Sequence, residues 1–264
     1  MLHPNSNTYI LEIRHRDRPD QSPIAHLLVE REEKYRYSQD NEIMDAVIKL
    51  RYQRLGPHRP GLESKGYFCG CYSKRYNRAS LTASLPFESG GVFLDLSGLH
   101  GQRIGTYLLN TIVEWLQQWP DASVNTIELV EGQGHGSNKL RRNRLYEQFG
   151  IEFDFTSSKQ QAGHSRPIHV GQLTPVTAWK ANITERSLTD YMREILAEKQ
   201  HLSEEFGYTD RLLKSYKVRY RQAEARPLWF AVKTLYRRHR DLLWSSSFFA
   251  VIAAVLWVKW KSLG

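Results

Sequence analysis

The stretch GLHGQRIGTYLL, Gly98 to Leu109, sets three glycines and an arginine between a short apolar run and a segment with helical spacing. Ile104, Leu108, Leu109, Ile112, Val113 and Leu116 fall on one stripe at 3.6-residue spacing, which predicts a helix stopped at Pro120. The first turn of such a helix leaves backbone N–H groups without intrahelical acceptors, and the helix dipole makes that end positive. Glycines let the chain turn tightly and approach a ligand closely. A diphosphate suits that arrangement. A plain strand-to-helix turn, with glycines for geometry alone, suits the same residues.

The flanking sequence supplies the rest of an α/β pattern. TYILEIR (Thr8–Arg14) reads as a strand, and the start of IAHLLVEREEKYRY (Ile24–Tyr37) as a strand paired back on it. In DNEIMDAVIKLRYQRL, Asp40–Leu55, residues Ile43, Met44, Val47, Ile48, Leu50 and Leu55 predict a helix capped by Asp40 or Asn41. GYFCGCY (Gly66–Tyr72), ASLTASL (Ala79–Leu85) and GGVFLDLS (Gly90–Ser97) read as short strands in hairpins. After the glycine-rich turn and its helix come a strand at Val124–Gly132 and a helix at Asn138–Gly150, with Gly150 as the left-handed residue that ends it. Ile151–Phe155 and Ile168–Leu173 are expected as strands around a polar loop. From about Thr184 to Arg226 the sequence is charged and helical. Leu188, Ile195 and Leu202 repeat there at heptad spacing over two steps, short of a coiled-coil assignment.

Net charge is +9 over 264 residues. That surplus fits a phosphorylated cofactor, a nucleic acid or an anionic lipid surface without choosing among them. The two cysteines, Cys69 and Cys71, cannot build a disulfide framework, so a reducing compartment is expected. A C-x-C pair with no second pair at zinc spacing reads as two ordinary strand cysteines, and no metal site is assigned.

The order strand, glycine-rich turn, long helix, strand, second helix ending RLYEQFG, strand resembles the GNAT acetyltransferase superfamily. The resemblance is clearest over Val92–Phe155 and extends by element order over Thr8–Thr174. In the register of the family's acyl-CoA motif the chain reads His100-Gly101-Gln102-Arg103-Ile104-Gly105. LYEQFGIEF matches the second signature. His100 replaces the usual Arg or Gln, and Arg103 replaces the first motif glycine. The resemblance implies acetyl-CoA as acyl donor, with its diphosphate on Gly101, Gln102, Arg103, Ile104, Gly105 and Thr106. It implies a pantetheine arm along Leu94 and Leu96, in a gap between the strand ending there and Asn125–Val130, with Asn138 as a further contact. Tyr146 matches the family's proton donor to the departing CoA thiolate. A carboxylate is expected to relieve the amine of its proton. Asp95 is the candidate, with Glu128 and Glu131 on the next strand.

The expected fold class is α+β: a mixed, mostly antiparallel GNAT-like sheet with helices on both faces, followed by helices and a C-terminal transmembrane helix. Residues 1–180 form the acyltransferase domain and 181–226 a charged helical spacer. Residues 227–241 form a basic amphipathic juxtamembrane helix, and 242–260 the membrane span. The run LLWSSSFFAVIAAVLWV, Leu242–Val258, carries no formal charge and is near the minimum spanning length of about 17 residues. Trp244, Trp257 and Trp260 fall near its ends. With no signal-peptide pattern in MLHPNSNTYI, a single-pass C-terminal anchor with a cytoplasmic catalytic domain is expected. The function expected is transfer of an acetyl group from acetyl-CoA to a primary amine, on a small molecule or a protein. The alternative is a non-catalytic, membrane-tethered adaptor on the same fold. A nucleic-acid partner is disfavoured, since no recognition motif accompanies KLRRNR or KSYKVRYR. A homodimer is compatible with the sequence.

Overall fold

The computed structural model describes residues 2–56, 65–88, 96–133, 137–239 and 257. The first four strands form an antiparallel meander: β1 (Leu2–Ile13), β2 (Ala25–Tyr37), β3 (Ile43–Leu55) and β4 (Lys65–Ser73). Strand β5 (Arg78–Ser80) pairs antiparallel with β4, and β6 (Ser123–Val124) pairs parallel with β5. Strand β10 (Ile183–Ser187) closes the other edge against β1, giving the order β10-β1-β2-β3-β4-β5-β6. A second antiparallel sheet, in the order β7-β9-β8, is made by β7 (Glu128–Leu129), β8 (Phe153–Phe155) and β9 (Gly163–Ser165).

Helix α1 (Ile104–Leu116) lies against β3 and β4, and all but one of its residues are buried. Gly70 permits the close approach. A Cβ there would stand 2.5 Å from Ile112 Cγ2 and 2.9 Å from the Ser80 carbonyl oxygen. Helix α2 (Ser137–Glu147) precedes Gly150, whose φ of 82° ends the turn as the sequence predicts. Tyr146 and Phe149 belong to the same core as α1, Leu27, Ile48 and Leu50. Helix α3 (Leu188–Ala225) then runs for 38 residues without a buried residue. The chain divides into two compact units, Met1–Arg193 and Glu194–Gly264. The second holds most of α3 and a further helical stretch, 227–239.

The helix expected at Asp40–Leu55 is instead strand β3. Ala46, Ile48, Leu50 and Tyr52 are buried in strict alternation, the period of a strand with one face on a core. Ile43 and Met44, which lent the segment helical spacing, are only half-buried. Asn41 is no helix cap. It takes a φ of 60° in the turn between β2 and β3, where Ser38 Oγ accepts from the Asp40 and Glu42 amides. Ala79–Leu85 keeps only its first residues in a strand, and Ile168–Leu173 forms a short 3-10 turn at Val170–Gln172. The polar loop contributes β9, and Thr184 begins no helix but lies within the edge strand β10.

The transmembrane ending requires correction. Among the described residues no helix is long and apolar enough to cross a membrane. Helix α1 is apolar, but its 13 residues extend only about 20 Å against a hydrocarbon core of about 30 Å. Helix α3 is long enough, yet it carries seven acidic and seven basic side chains. The run 242–258 lies outside the described residues except for Trp257. The C-terminal anchor, and the cytoplasmic placement argued from it, are therefore withdrawn; the α+β class and the mixed sheet stand.

Candidate anion-binding loop at the head of α1

The loop before α1 is a run of turns. Leu99 N donates to Leu96 O at 2.9 Å and Gln102 N to Leu99 O at 3.3 Å. Gly98 (φ 77°), Gly101 (φ 76°) and Arg103 (φ 64°) all occupy the left-handed region. Arg103, a residue with a side chain, thus adopts the backbone conformation that glycine adopts without cost. It is also the residue that caps α1. Its carbonyl accepts from Tyr107 N at 2.9 Å, and no side chain caps the helix amides.

Two distant segments hold this loop. Gln102 is buried, and its Oε1 accepts from Arg16 N at 2.8 Å. Asn182, also buried, is the knot. Its Nδ2 donates to Arg14 O and to Gln102 O, each at 3.1 Å, and its Oδ1 accepts from Arg103 Nη1 at 3.1 Å. Arg14 N donates to Asn182 O at 2.8 Å, so the end of β1 and the approach to β10 clamp the turn from one side. Arg16 Nη1 would lie 3.9 Å from a Cβ at Gly101. Arg16 and Arg103 therefore bring two guanidinium groups to the helix end that already carries positive potential. Asp17 Oδ1 lies 3.2 Å from Arg16 Nε and offsets part of that charge.

The expected site residues divide into three groups. Gly101 is exposed and Arg103 half-buried, whereas Gln102, Ile104, Gly105 and Thr106 are buried. An anion reaching the loop from solvent thus meets Gly101 and Arg103 first. Leu96 is buried, and its carbonyl closes the first turn. Leu94 and Asp95 lie outside the described residues. Tyr146 lies in the last turn of α2, 5.7 Å between ring centroids from Phe153, and burial pushes its phenol up to about 12. Asn138 is exposed in the first turn of α2 and accepts a long hydrogen bond from Arg141. Glu128 and Glu131 are exposed.

Most of the strand expected on one side of the gap, 90–95, lies outside the described residues. Strands β5 and β6 are the parallel pair, and Asn125 N still donates to Ala79 O at 2.8 Å. Three residues later the chain joins the second sheet as β7. Asn125 Nδ2 donates to Pro86 O, while its buried Oδ1 has no partner among the described residues. A buried amide oxygen without a donor is a costly feature in the free protein and a ready acceptor for an incoming N–H.

Sequence reasoning overlooked Asn182, Arg16 and Asn125. Asn182 lies in an unremarkable KANIT context, and its role exists only once β10 is paired with β1. Cys69 and Cys71 are buried, and burial raises both thiols, Cys71 to about 12. Among the described residues no cluster of His, Cys, Asp and Glu could hold a metal ion. No family model matches the chain, and neither a curated protein nor a solved structure matches it.

Proposed function

We propose that the chain is an acyl-CoA-dependent N-acetyltransferase of the GNAT kind. The observation that carries the reading is the left-handed Arg103 at the head of α1, in a helix that connects the two parallel strands β5 and β6. A tight turn leading into a helix presents backbone amides and a helix dipole to a diphosphate. Arg103 and Arg16 add charge that glycines do not. Asn125 Oδ1, without a donor among the described residues, offers an acceptor to an amide-bearing arm such as pantetheine.

In this reading an unprotonated amine attacks the thioester carbonyl carbon. A C–N bond forms, the C–S bond breaks, and the amine gives up its proton to a base. Tyr146 donates toward the sulfur as it leaves. Its raised phenol keeps its proton at neutral pH, which suits a hydrogen-bond donor to a developing thiolate. The protein's part is otherwise positioning. The base and the acceptor amine are unassigned, because fold does not set the acceptor.

The test is release of free CoA from acetyl-CoA by the full chain across a panel of primary amines, amino acids and lysine peptides. Amine-dependent CoA release that falls at least tenfold in Tyr146→Phe supports the reading. Acetyl-CoA binding with no turnover on any acceptor would favour an adaptor on the same fold.

A further inference from the structure

Helix α3 is one unbroken helix from Leu188 to Ala225, and from Met192 onward its large apolar side chains face water. Their spacing is regular. Leu188, Met192, Ile195, Lys199, Leu202, Phe206, Thr209, Leu213, Tyr216 and Tyr220 follow alternating steps of four and three residues. That is a heptad seam sustained for more than four repeats, interrupted only by Lys199 and Thr209. A stripe of this kind is costly in water: Phe206 is 76% exposed and Tyr220 67%.

The charges along the same helix say what covers it. Residues 188–206 hold five carboxylates against two cations, net −3; residues 207–225 hold two against five, net +3. A second copy laid parallel would set like halves together and would face Glu205 with Asp210. Laid antiparallel, it sets each acidic half on a basic half. Register follows from the seam. With the two-fold axis between Gly207 and Tyr208, Leu202 meets Leu213, Ile195 meets Tyr220, and Phe206 meets the small Thr209. Lys199 lies over Tyr216, where a cation–π contact replaces an apolar one. On the flank, Glu198 faces Arg219 of the second copy, twice per dimer.

We infer that α3 is the dimerisation element of this protein, pairing with α3 of a second copy as an antiparallel two-stranded coiled coil over Ile195–Tyr220. The inference is independent of the acyltransfer reading, since it uses no residue of the anion loop. Self-association of this geometry is isologous and closes at two subunits.

The experiment uses the full chain in a non-ionic detergent that suppresses association through the apolar run 242–258. Light scattering after size exclusion is expected to give a dimer at micromolar concentration. Leu202→Glu with Leu213→Glu is expected to give a monomer with unchanged helical content, because neither side chain is buried in the subunit. Spin labels then read the orientation. Across an antiparallel pair, labels on Gly207→Cys lie close together. Those on Gln222→Cys lie about 40 Å apart, from a rise of about 1.5 Å per residue. A monomeric parent, a dimer indifferent to the double substitution, or short distances from both labels would each overturn the inference.

Discussion

The guanidinium of Arg103 reaches Asn182 Oδ1 at 3.1 Å across 79 residues of sequence, tying the head of α1 to the entry of the edge strand β10. Asn182 is buried and uses its side-chain amide to satisfy two carbonyls, those of Arg14 and Gln102. Asn182→Ala leaves both without that donor and releases Arg103. Destabilisation of about 2–4 kcal/mol is expected, from about 1–3 kcal/mol for each polar group left unsatisfied. Denaturant unfolding measures it. A loss under about 0.5 kcal/mol, the range of a neutral surface change, would mean the knot is not formed.

Arg103 itself combines two opposed contributions. Its left-handed backbone costs about 1 kcal/mol relative to glycine, and its hydrogen bond to Asn182 returns a similar amount. Arg103→Gly is therefore expected to leave stability within about 1 kcal/mol of the parent. Arg103→Val loses the hydrogen bond and keeps a β-branched residue at positive φ, so it should be the least stable of the three. Equal stability of the Gly and Val variants would argue against the left-handed turn.

Gly70→Val tests how closely α1 rests on the sheet. The added carbon atoms have no room between Ile112 and the Ser80 carbonyl, so a loss of about 2–3 kcal/mol is expected. Gly132→Val, where a Cβ meets nothing within 4 Å, serves as the contrast and should be near neutral.

Stability should fall in alkali for a reason that can be assigned. Burial raises the phenols of Tyr9, Tyr107 and Tyr146; Tyr107 also donates to Glu185 Oε1 at 2.8 Å, which holds its proton further. A phenol raised in the folded state stabilises the fold fully below the unfolded value of about 10, and that contribution is lost as pH climbs toward the folded value. For Tyr146, raised to about 12, the contribution is on the order of 2–3 kcal/mol. Unfolding free energy measured from pH 8 to 12 should be flat to about 10 and then drop. The drop should be shallower in Tyr146→Phe.

The segments that sequence reasoning placed well are those whose pattern is local. In α1 the apolar stripe and the helix coincide, because that helix buries nearly its whole surface in one core. In β3 the local pattern misleads. Its half-buried outer positions hold Val47 and Ile43, which fill the gaps in a period-two pattern until it reads as helical. Strand β10 was hidden for a different reason. ITERS is short and polar, as edge strands often are, and only its pairing with Tyr9–Ile13 defines it. The tight turn was legible from its glycines. The residues that hold it, Arg16 and Asn182, were not, since they come from remote segments brought together by the sheet.

The most direct measurement of the central claim is calorimetric titration of the full chain with acetyl-CoA, repeated on Gly101→Asp. Gly101 is the better position than Gly105 because it is exposed and its surroundings are open apart from Arg16. Aspartate tolerates positive φ better than most residues, so the fold is retained while a negative charge stands where the diphosphate would lie. Saturable binding by the parent, with affinity at least tenfold weaker in Gly101→Asp and decreasing with added salt, is the result predicted. No binding by the parent, or equal binding by the variant, would contradict an acyl-CoA site at the head of α1.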